Sequence, residues 1–294
     1  ADSGYTYQRS TEPNRTEILD SAGQPVAIMT DGARTAQIYG PPRTFEEPHE
    51  TPAKVKTNVW VRLAPQPWRE GAEEQQWFTD WLGKARRDRS PDALAVAMEY
   101  REGSPVKKDR TGQQIAGDAS FGPLDPLDLD GRAERSDFYD YLGLPWSFPD
   151  GTIAPPDPAR ALALDCSGYL RMVYGYRLGY PLRNTNTPGE GLPRRAYAMA
   201  DLGPGTQLVP NSGQPARGLD RLLPGDLLFF NADPVPGREI QHSAIYLGVD
   251  DRGHHRFISS RAVADGPTMG DVGGESILDG AGYWGERWRT ARRI

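Results

Sequence analysis

Short alternations of apolar and polar residues dominate the first hundred positions and predict a region built mainly from β-strands. The predicted strands are residues 26–30, 35–39 and 58–63, separated by turn-forming glycines and prolines. Helical spacing of apolar residues follows over 73–86 and 91–100, and Ser90 followed by Pro91 suits the start of the second helix. We therefore expect a small sheet covered by amphipathic helices.

A different pattern begins after residue 135. Residues 103–135 have no sustained hydrophobic period, which predicts a long loop or an interdomain connection. Beyond it, a polar sequence around Cys166 opens a helix with apolar residues at helical spacing. Strands are predicted at 227–230, 242–248 and 256–259. We place a boundary near 135, with an accessory region at 1–135 and a second domain at 136–294.

Length, charge and the lack of a long apolar stretch limit the classes of protein to which the chain can belong. A chain of 294 residues is long enough for two domains. A net charge of −6 without a dense basic run argues against a nucleic-acid partner, because phosphate binding needs a concentrated positive face. No apolar stretch approaches the ~18 residues of a membrane span. The start at Ala1 without a Met fits a protein that is secreted or associated with the cell wall after removal of a signal peptide, although a trimmed chain would look the same.

The single cysteine, Cys166, is the first candidate for chemistry. It excludes an intramolecular disulfide, so the thiol is either buried and inert or reactive. A helix N-terminus favours thiolate over thiol, which would lower the pKa of a nucleophile. His242, at the start of a predicted strand, is the best candidate for the base of a Cys-His pair. A core cysteine and an ordinary strand-end histidine are the alternatives.

Three short sequence motifs follow one another along the second half of the chain. They are Asp165-Cys166-Ser167-Gly168, the stretch LPGDLLFF at 223–230 and the stretch HSAIYLG at 242–248. In this order they resemble the NlpC-type family of papain-like bacterial cell-wall cysteine peptidases. The tail at 283–293 looks like the closing strand of that family, so the resemblance covers about 140–294. The first 135 residues lie outside it.

The resemblance implies an α+β papain-like catalytic domain in which a helix carrying the cysteine packs on an antiparallel sheet, preceded here by a mainly β accessory region. It implies that Cys166 is the nucleophile, that His242 is the general base, and that the backbone N–H of Cys166 forms part of an oxyanion hole. Asp165 and Ser167 match positions that line the substrate cleft of the family.

Two positions depart from the family pattern. Trp146 stands where the family usually carries a tyrosine whose hydroxyl faces substrate, although packing is the simpler reading of a tryptophan. Ser259 stands where the family commonly has a histidine that orients the catalytic histidine. His254 and His255 are the alternatives for that third role, but they lie near a hairpin tip, about seven strand residues of roughly 3.3 Å each from His242.

By resemblance, the function is that of a secreted cysteine peptidase that hydrolyses peptidoglycan stem peptides at the γ-D-glutamyl-diaminopimelate bond. The chemistry requires no cofactor or metal, and the expected partner is the stem peptide. Two alternatives stay open, namely a Cys-His amidase or acyltransferase for another acyl substrate and a catalytically inactive wall-binding protein. Residues 1–135 would form either a small wall-binding barrel or one wall of the cleft. No protein partner can be read from the sequence.

Overall fold

The computed structural model describes residues 4–127, 131–232 and 237–294, so the expectation drawn from Ala1 lies outside the described residues. Two antiparallel sheets dominate this part of the chain. Its strands are β1 Thr6–Ser10, β2 Arg15–Leu19, β3 Pro25–Thr30, β4 Thr35–Glu46, β5 Lys54–Leu63, β6 Lys107–Lys108, β7 Gln114–Ala116, β8 Trp146–Ser147, β9 Ile153–Ala154, β10 Thr206–Val209, β11 Leu227–Phe230, β12 His242–Val249, β13 His255–Arg261, β14 Gly266–Thr268 and β15 Trp288–Arg293. Its α-helices are α1 Gln76–Arg87, α2 Ala93–Met98, α3 Phe138–Leu142, α4 Cys166–Leu170, α5 Ala196–Leu202 and α6 Tyr283–Arg287.

The N-terminal sheet is a meander in which β1 to β5 pair in chain order. The predicted strands at 26–30, 35–39 and 58–63 are confirmed as β3, β4 and β5. The predicted helix at 73–86 is confirmed as α1, which begins three residues later after a single 3₁₀ turn. Phe78 and Leu82 of α1 pack with Ile18 and Met29 of the sheet, so this region has an apolar core of its own.

The second predicted helix is confirmed as α2, but its predicted start at Ser90 and Pro91 is wrong. Asp92 is the N-cap, because its carboxylate accepts a hydrogen bond from the N–H of Ala95 at 3.0 Å. The same carboxylate binds the guanidinium of Arg43 at 2.6 Å. An ion pair to the neighbouring sheet thus fixes where the helix begins.

The C-terminal sheet has the strand order β10-β15-β11-β12-β13-β14, with all neighbours antiparallel. The strands predicted at 227–230, 242–248 and 256–259 are confirmed as β11, β12 and β13. The expectation of a single strand at 283–293 is wrong in its first half, which forms α6 before β15 begins. Trp284 of α6 packs on Phe230 and Phe257, and this contact holds the helix against the sheet.

The two faces of the C-terminal sheet contact different cores. One face presents Phe229, Ile245 and Ile258 to Tyr169 and Leu170 of α4. The opposite face presents a second set of side chains to Trp284 of α6, namely Leu228, Phe230, Tyr246 and Phe257. Successive strand residues point to opposite faces, so a one-residue difference along β12 decides which core a side chain joins.

One core extends across the predicted boundary at 135. It contains Val55, Val61 and Leu94 from the first region together with Leu227 and Ile245 from the second. The connecting segment carries the short β6-β7 hairpin within a stretch predicted to be a loop. The boundary at 135 stays a prediction. The N-terminal region packs against the sheet of the C-terminal region. Within the described residues, no helix has the length and apolarity that a bilayer crossing requires.

Candidate active site

Cys166 is the first residue of α4, as the sequence predicts. Asp165 caps the helix, since its Oδ1 accepts a hydrogen bond from the N–H of Gly168 at 2.7 Å. The helix continues as a π-helical segment over Arg171–Arg177. A Cβ on Gly168 would lie 2.3 Å from the carbonyl oxygen of Ser136, so only glycine lets this neighbouring backbone approach. The glycine of this motif therefore lets the segment that contains Ser136 pack directly against the start of α4.

The Cys166 thiol is covered, with 1% of the residue exposed. Its Sγ donates to Oε1 of Glu134 at 3.3 Å and lies 3.8 Å from the carbonyl oxygen of Gln241. The pKa of Cys166 is raised well above its ordinary value, first by burial and then by the negative charges of Glu134 and Asp165, while Ser243 opposes the rise. These effects outweigh the helix N-terminus that was expected to lower the pKa. The cysteine is a protonated thiol in this conformation.

His242 is the first residue of β12 and pairs across the sheet with Phe230. Its ring stacks on the indole of Trp284, with centroids 4.4 Å apart and an interplanar angle of 25°. Burial, reinforced by the charge of Arg261, lowers the pKa of His242 to about 3. Its Nε2 atom is buried and has no hydrogen-bond partner among the described residues. His242 is therefore a neutral imidazole on the α6 side of the sheet.

The structure does not join the two predicted catalytic side chains. Ser243, the next residue of β12, pairs with Phe229 and lies on the α4 side of the sheet. Over residues 4–127, 131–232 and 237–294, no hydrogen bond connects Cys166 with His242. The roles of nucleophile and base stay predictions, because the carbonyl of Gln241, just before β12, lies beside the thiol and the imidazole of His242 lies on the other face of the sheet.

Ser259 lies on β13 and is completely buried. Its hydroxyl accepts a hydrogen bond from Nε of Arg261 at 3.3 Å, and no bond from it to His242 occurs in the described part of the chain. The two histidines considered as alternatives for this role have other partners, since His254 binds Asp279 through Nδ1 at 2.5 Å and His255 binds the Tyr246 hydroxyl at 2.7 Å. The role of Ser259 in orienting His242 stays a prediction.

Asp165 and Ser167 are brought together in a buried polar cluster. Arg194 donates to Oδ2 of Asp165 at 2.6 Å and to Oγ of Ser167 at 2.7 Å. Arg194 also lies 3.3 Å from Asp137, which pairs with the buried Arg171 at 3.1 Å. Burial opposes ionisation of Asp137, but the two arginines outweigh it and lower its pKa. The cluster fixes the start of α4, and the predicted contact of Asp165 and Ser167 with substrate stays a prediction.

Trp146 lies on the short strand β8, which pairs with β9. Its half-buried ring makes edge-to-face contacts with Phe138 at 5.1 Å and with Tyr176 at 5.6 Å between centroids. These contacts support packing as the role of this tryptophan. Its predicted place in substrate recognition stays untested.

Three residues near the candidate pair were not singled out from the sequence. Glu134 falls in the segment predicted to be a loop, Arg194 is one of many arginines, and Trp284 belongs to a tail predicted to be a strand. Each reaches the site through a contact between residues that are far apart in sequence. Glu134 and Cys166, for example, are separated by 32 positions. No local motif indicates such contacts, and only the aromatic content of the tail gives a weak signal for Trp284.

Comparison with known proteins supports the family resemblance over the part of the chain that carries this site. Residues 150–279 match the model of the NlpC/P60 family. No curated protein matches the chain. Among solved structures, a protein similar to a lipoprotein of the NLP/P60 family from Staphylococcus aureus subsp. aureus Mu50 matches with 17% identity and a TM-score of 0.31. That match covers 75% of this chain and 49% of the other, so the chain spans about half the length of that structure. The stretch that matches the NlpC/P60 family, residues 150–279, includes both Cys166 and His242.

Proposed function

We propose that this chain is a secreted cysteine peptidase that hydrolyses the peptide part of peptidoglycan, with the γ-D-glutamyl-diaminopimelate bond as its target. The NlpC/P60 family consists generally of cell-wall peptidases, and the matched residues include the cysteine and the histidine that this chemistry needs. The observation that supports the proposal is the position of Cys166 at the start of α4, with its Sγ 3.8 Å from the carbonyl oxygen of Gln241, the residue before β12.

In the proposed reaction, the Cys166 thiolate attacks the carbonyl carbon of the scissile amide and the backbone N–H of Cys166 stabilises the oxyanion. His242 takes the thiol proton and donates it to the departing amine. Water then attacks the thioester, with His242 accepting a proton from it, and releases the acid product and the thiol. Asp165 and Arg194 hold the start of α4 in place during these steps.

This reaction requires the imidazole of His242 to reach the α4 side of the sheet. A one-residue change in the path of β12 at its first two positions would exchange the faces of His242 and Ser243, because alternate strand residues point to opposite faces. His242 is the first residue of the strand, so few ladder hydrogen bonds oppose the change. We propose that substrate binding brings about this exchange.

The second candidate is a wall-binding protein without activity. It is favoured by the covered thiol of Cys166, the raised pKa of that thiol and the position of His242 against Trp284. Such a protein would retain the fold and bind peptide without cleaving it. The two candidates differ in whether peptide fragments are released from peptidoglycan.

The test is incubation of peptidoglycan fragments with the wild type, Cys166→Ala and His242→Ala, followed by mass spectrometry of released peptides. We expect cleavage by the wild type alone, and the fragment masses identify the bond. His254→Ala is the matched control, because this histidine is partly exposed and bound to Asp279 away from the thiol, and it should cleave as the wild type does. A folded wild type that releases no peptide would contradict the peptidase and favour the inactive binder.

A further inference from the structure

The carboxylate of Glu134 lies against the thiol of Cys166. Its Oε1 atom lies 3.3 Å from Sγ, and the thiol donates its proton to this oxygen. An attacking sulfur and the carbonyl group that it attacks approach to about 3–3.5 Å in a reactive complex. A substrate carbonyl poised for attack therefore needs the volume that the Glu134 carboxylate now takes up.

The backbone of Glu134 is held in place from several directions. The guanidinium of Arg195 donates to its carbonyl oxygen at 2.7 Å. On either side, the N–H of Ala133 donates to the carbonyl of Pro123 at 2.9 Å, and the carbonyl of Ser136 accepts from the N–H of Asp165 at 2.8 Å. These contacts fix the main chain that presents the glutamate to the thiol, so displacement of the carboxylate is a movement of the side chain.

We propose that Glu134 is an internal occupant of the acyl site, whose carboxylate stands in the place of the scissile group and must be displaced before a peptide reaches Cys166. No covalent bond forms between the two residues, since the carbon of a carboxylate is a poor electrophile for a thiol. The inference rests on the proposed function in one respect. The carboxyl of a glutamate side chain is the same chemical group as the acyl part of the proposed γ-glutamyl bond.

The geometry of the site explains why such an occupant keeps the cysteine inactive. The Glu134 carboxylate accepts a hydrogen bond from the thiol, and the nearby carboxylate of Asp165 adds a second negative charge. Both charges disfavour a thiolate. Displacement of Glu134 removes the nearer charge and opens the thiol to a reactant in one movement.

Alkylation of the intact protein by iodoacetamide tests the inference, because the chain has a single cysteine and mass spectrometry reads its modification directly. At pH 7.5 we expect Glu134→Ala to react about tenfold faster than the wild type, since the loss of one adjacent charge and its cover favours the thiolate. Glu134→Gln should react at an intermediate rate, because its amide carries no charge but fills nearly the same space. Glu190→Gln, an exposed glutamate elsewhere, should match the wild type.

Equal alkylation rates in the wild type, Glu134→Ala and Glu134→Gln would overturn the inference. Thermal unfolding of each variant shows whether it is folded, and the near-isosteric Gln variant carries the test if the Ala variant is unstable. The outcome is separable from that of the proposed function, because alkylation needs no substrate. Peptide release with unchanged alkylation refutes the internal occupant alone, whereas faster alkylation without peptide release refutes the peptidase alone.

Discussion

The imidazole of His242 lies flat against the indole of Trp284, with ring centroids 4.4 Å apart, on the side of β12 that faces away from Cys166. Phe230 is a second ring neighbour at 5.6 Å, so the histidine is enclosed by aromatic surface. A charged imidazole is poorly solvated there, and the nearby Arg261 adds repulsion. Burial among these rings, together with the charge of Arg261, therefore favours the neutral form of His242.

The first prediction is that His242 makes folding stability depend on pH. Its pKa is about 3 in the folded protein and about 6.5 when unfolded, so between these values the unfolded chain binds one more proton. The stabilisation is complete above about pH 6.5 and is lost as the pH falls toward 3, by up to about 1.4 kcal/mol per pH unit. Urea unfolding between pH 4 and 7.5 measures this slope.

His242→Phe is the control for this dependence, because it retains an aromatic ring and cannot titrate. As the pH is lowered, the unfolding free energy of the wild type should fall more than that of His242→Phe. Parallel pH profiles for the two proteins would show that His242 is not held neutral by the fold.

The second prediction concerns glycine at the start of α4. Gly168→Ala should destabilise the protein by about 2 kcal/mol or more, because its Cβ would lie 2.3 Å from the carbonyl oxygen of Ser136 and the two segments must separate. Gly83→Ala in α1 is the matched control, since its nearest neighbour is the flexible end of Arg87 at 3.4 Å. That change should stabilise by about 0.5–1 kcal/mol through helix propensity. Denaturant unfolding that gives both changes the same sign would contradict the close packing at Gly168.

The third prediction is that Arg194 is required for stability. Arg194→Met would leave the buried carboxylates of Asp165 and Asp137 without a shared cation, which should cost about 3–5 kcal/mol. Arg195→Met is the control, because its side chain is 34% exposed against 12% for Arg194 and it contributes one 3.4 Å contact to Asp165 beside its hydrogen bond to the carbonyl of Glu134. Urea unfolding should show a larger loss of stability for Arg194→Met than for Arg195→Met. A loss for Arg194→Met no greater than that for Arg195→Met would mean that the cluster adds little.

The sequence predicts the elements of the site better than their contacts. The strand that begins at His242 and the helix that begins at Cys166 follow from local patterns of apolar residues and caps, and the structure has both. The face on which His242 lies depends on the register of β12 against β11, which no local pattern determines. Likewise, the helical first half of the tail depends on packing of Trp284 against Phe230, a contact across more than fifty residues.

The pKa of Cys166 is a second property of the site that the local sequence does not predict. A helix N-terminus in the sequence indicates a lowered pKa, because only the nearest backbone dipoles can be read locally. Burial and the carboxylate of Glu134 reverse that direction, and the carboxylate belongs to a residue 32 positions away. Chemistry at a covered site is thus set by tertiary contacts that local sequence reasoning does not reach.

The fourth prediction is that residues 138–294 do not fold without the preceding region. Removal of residues 1–137 would take Val55, Val61 and Leu94 out of the core that also contains Leu227 and Ile245. It would also remove the acceptor of the Tyr169 hydroxyl, the carbonyl of Ala97 at 2.6 Å, which leaves a buried donor unsatisfied.

Circular dichroism and urea unfolding of the 138–294 fragment test this expectation, and we expect no cooperative transition. A chain that lacks only residues 1–10 is the control, because β1 is an edge strand with mostly exposed residues and its loss leaves the shared core intact. Cooperative unfolding of the 138–294 fragment would instead make the two regions independent domains. In that event, the first region would be free to serve as a separate wall-binding module, whereas a single shared core ties its position to the sheet that carries His242.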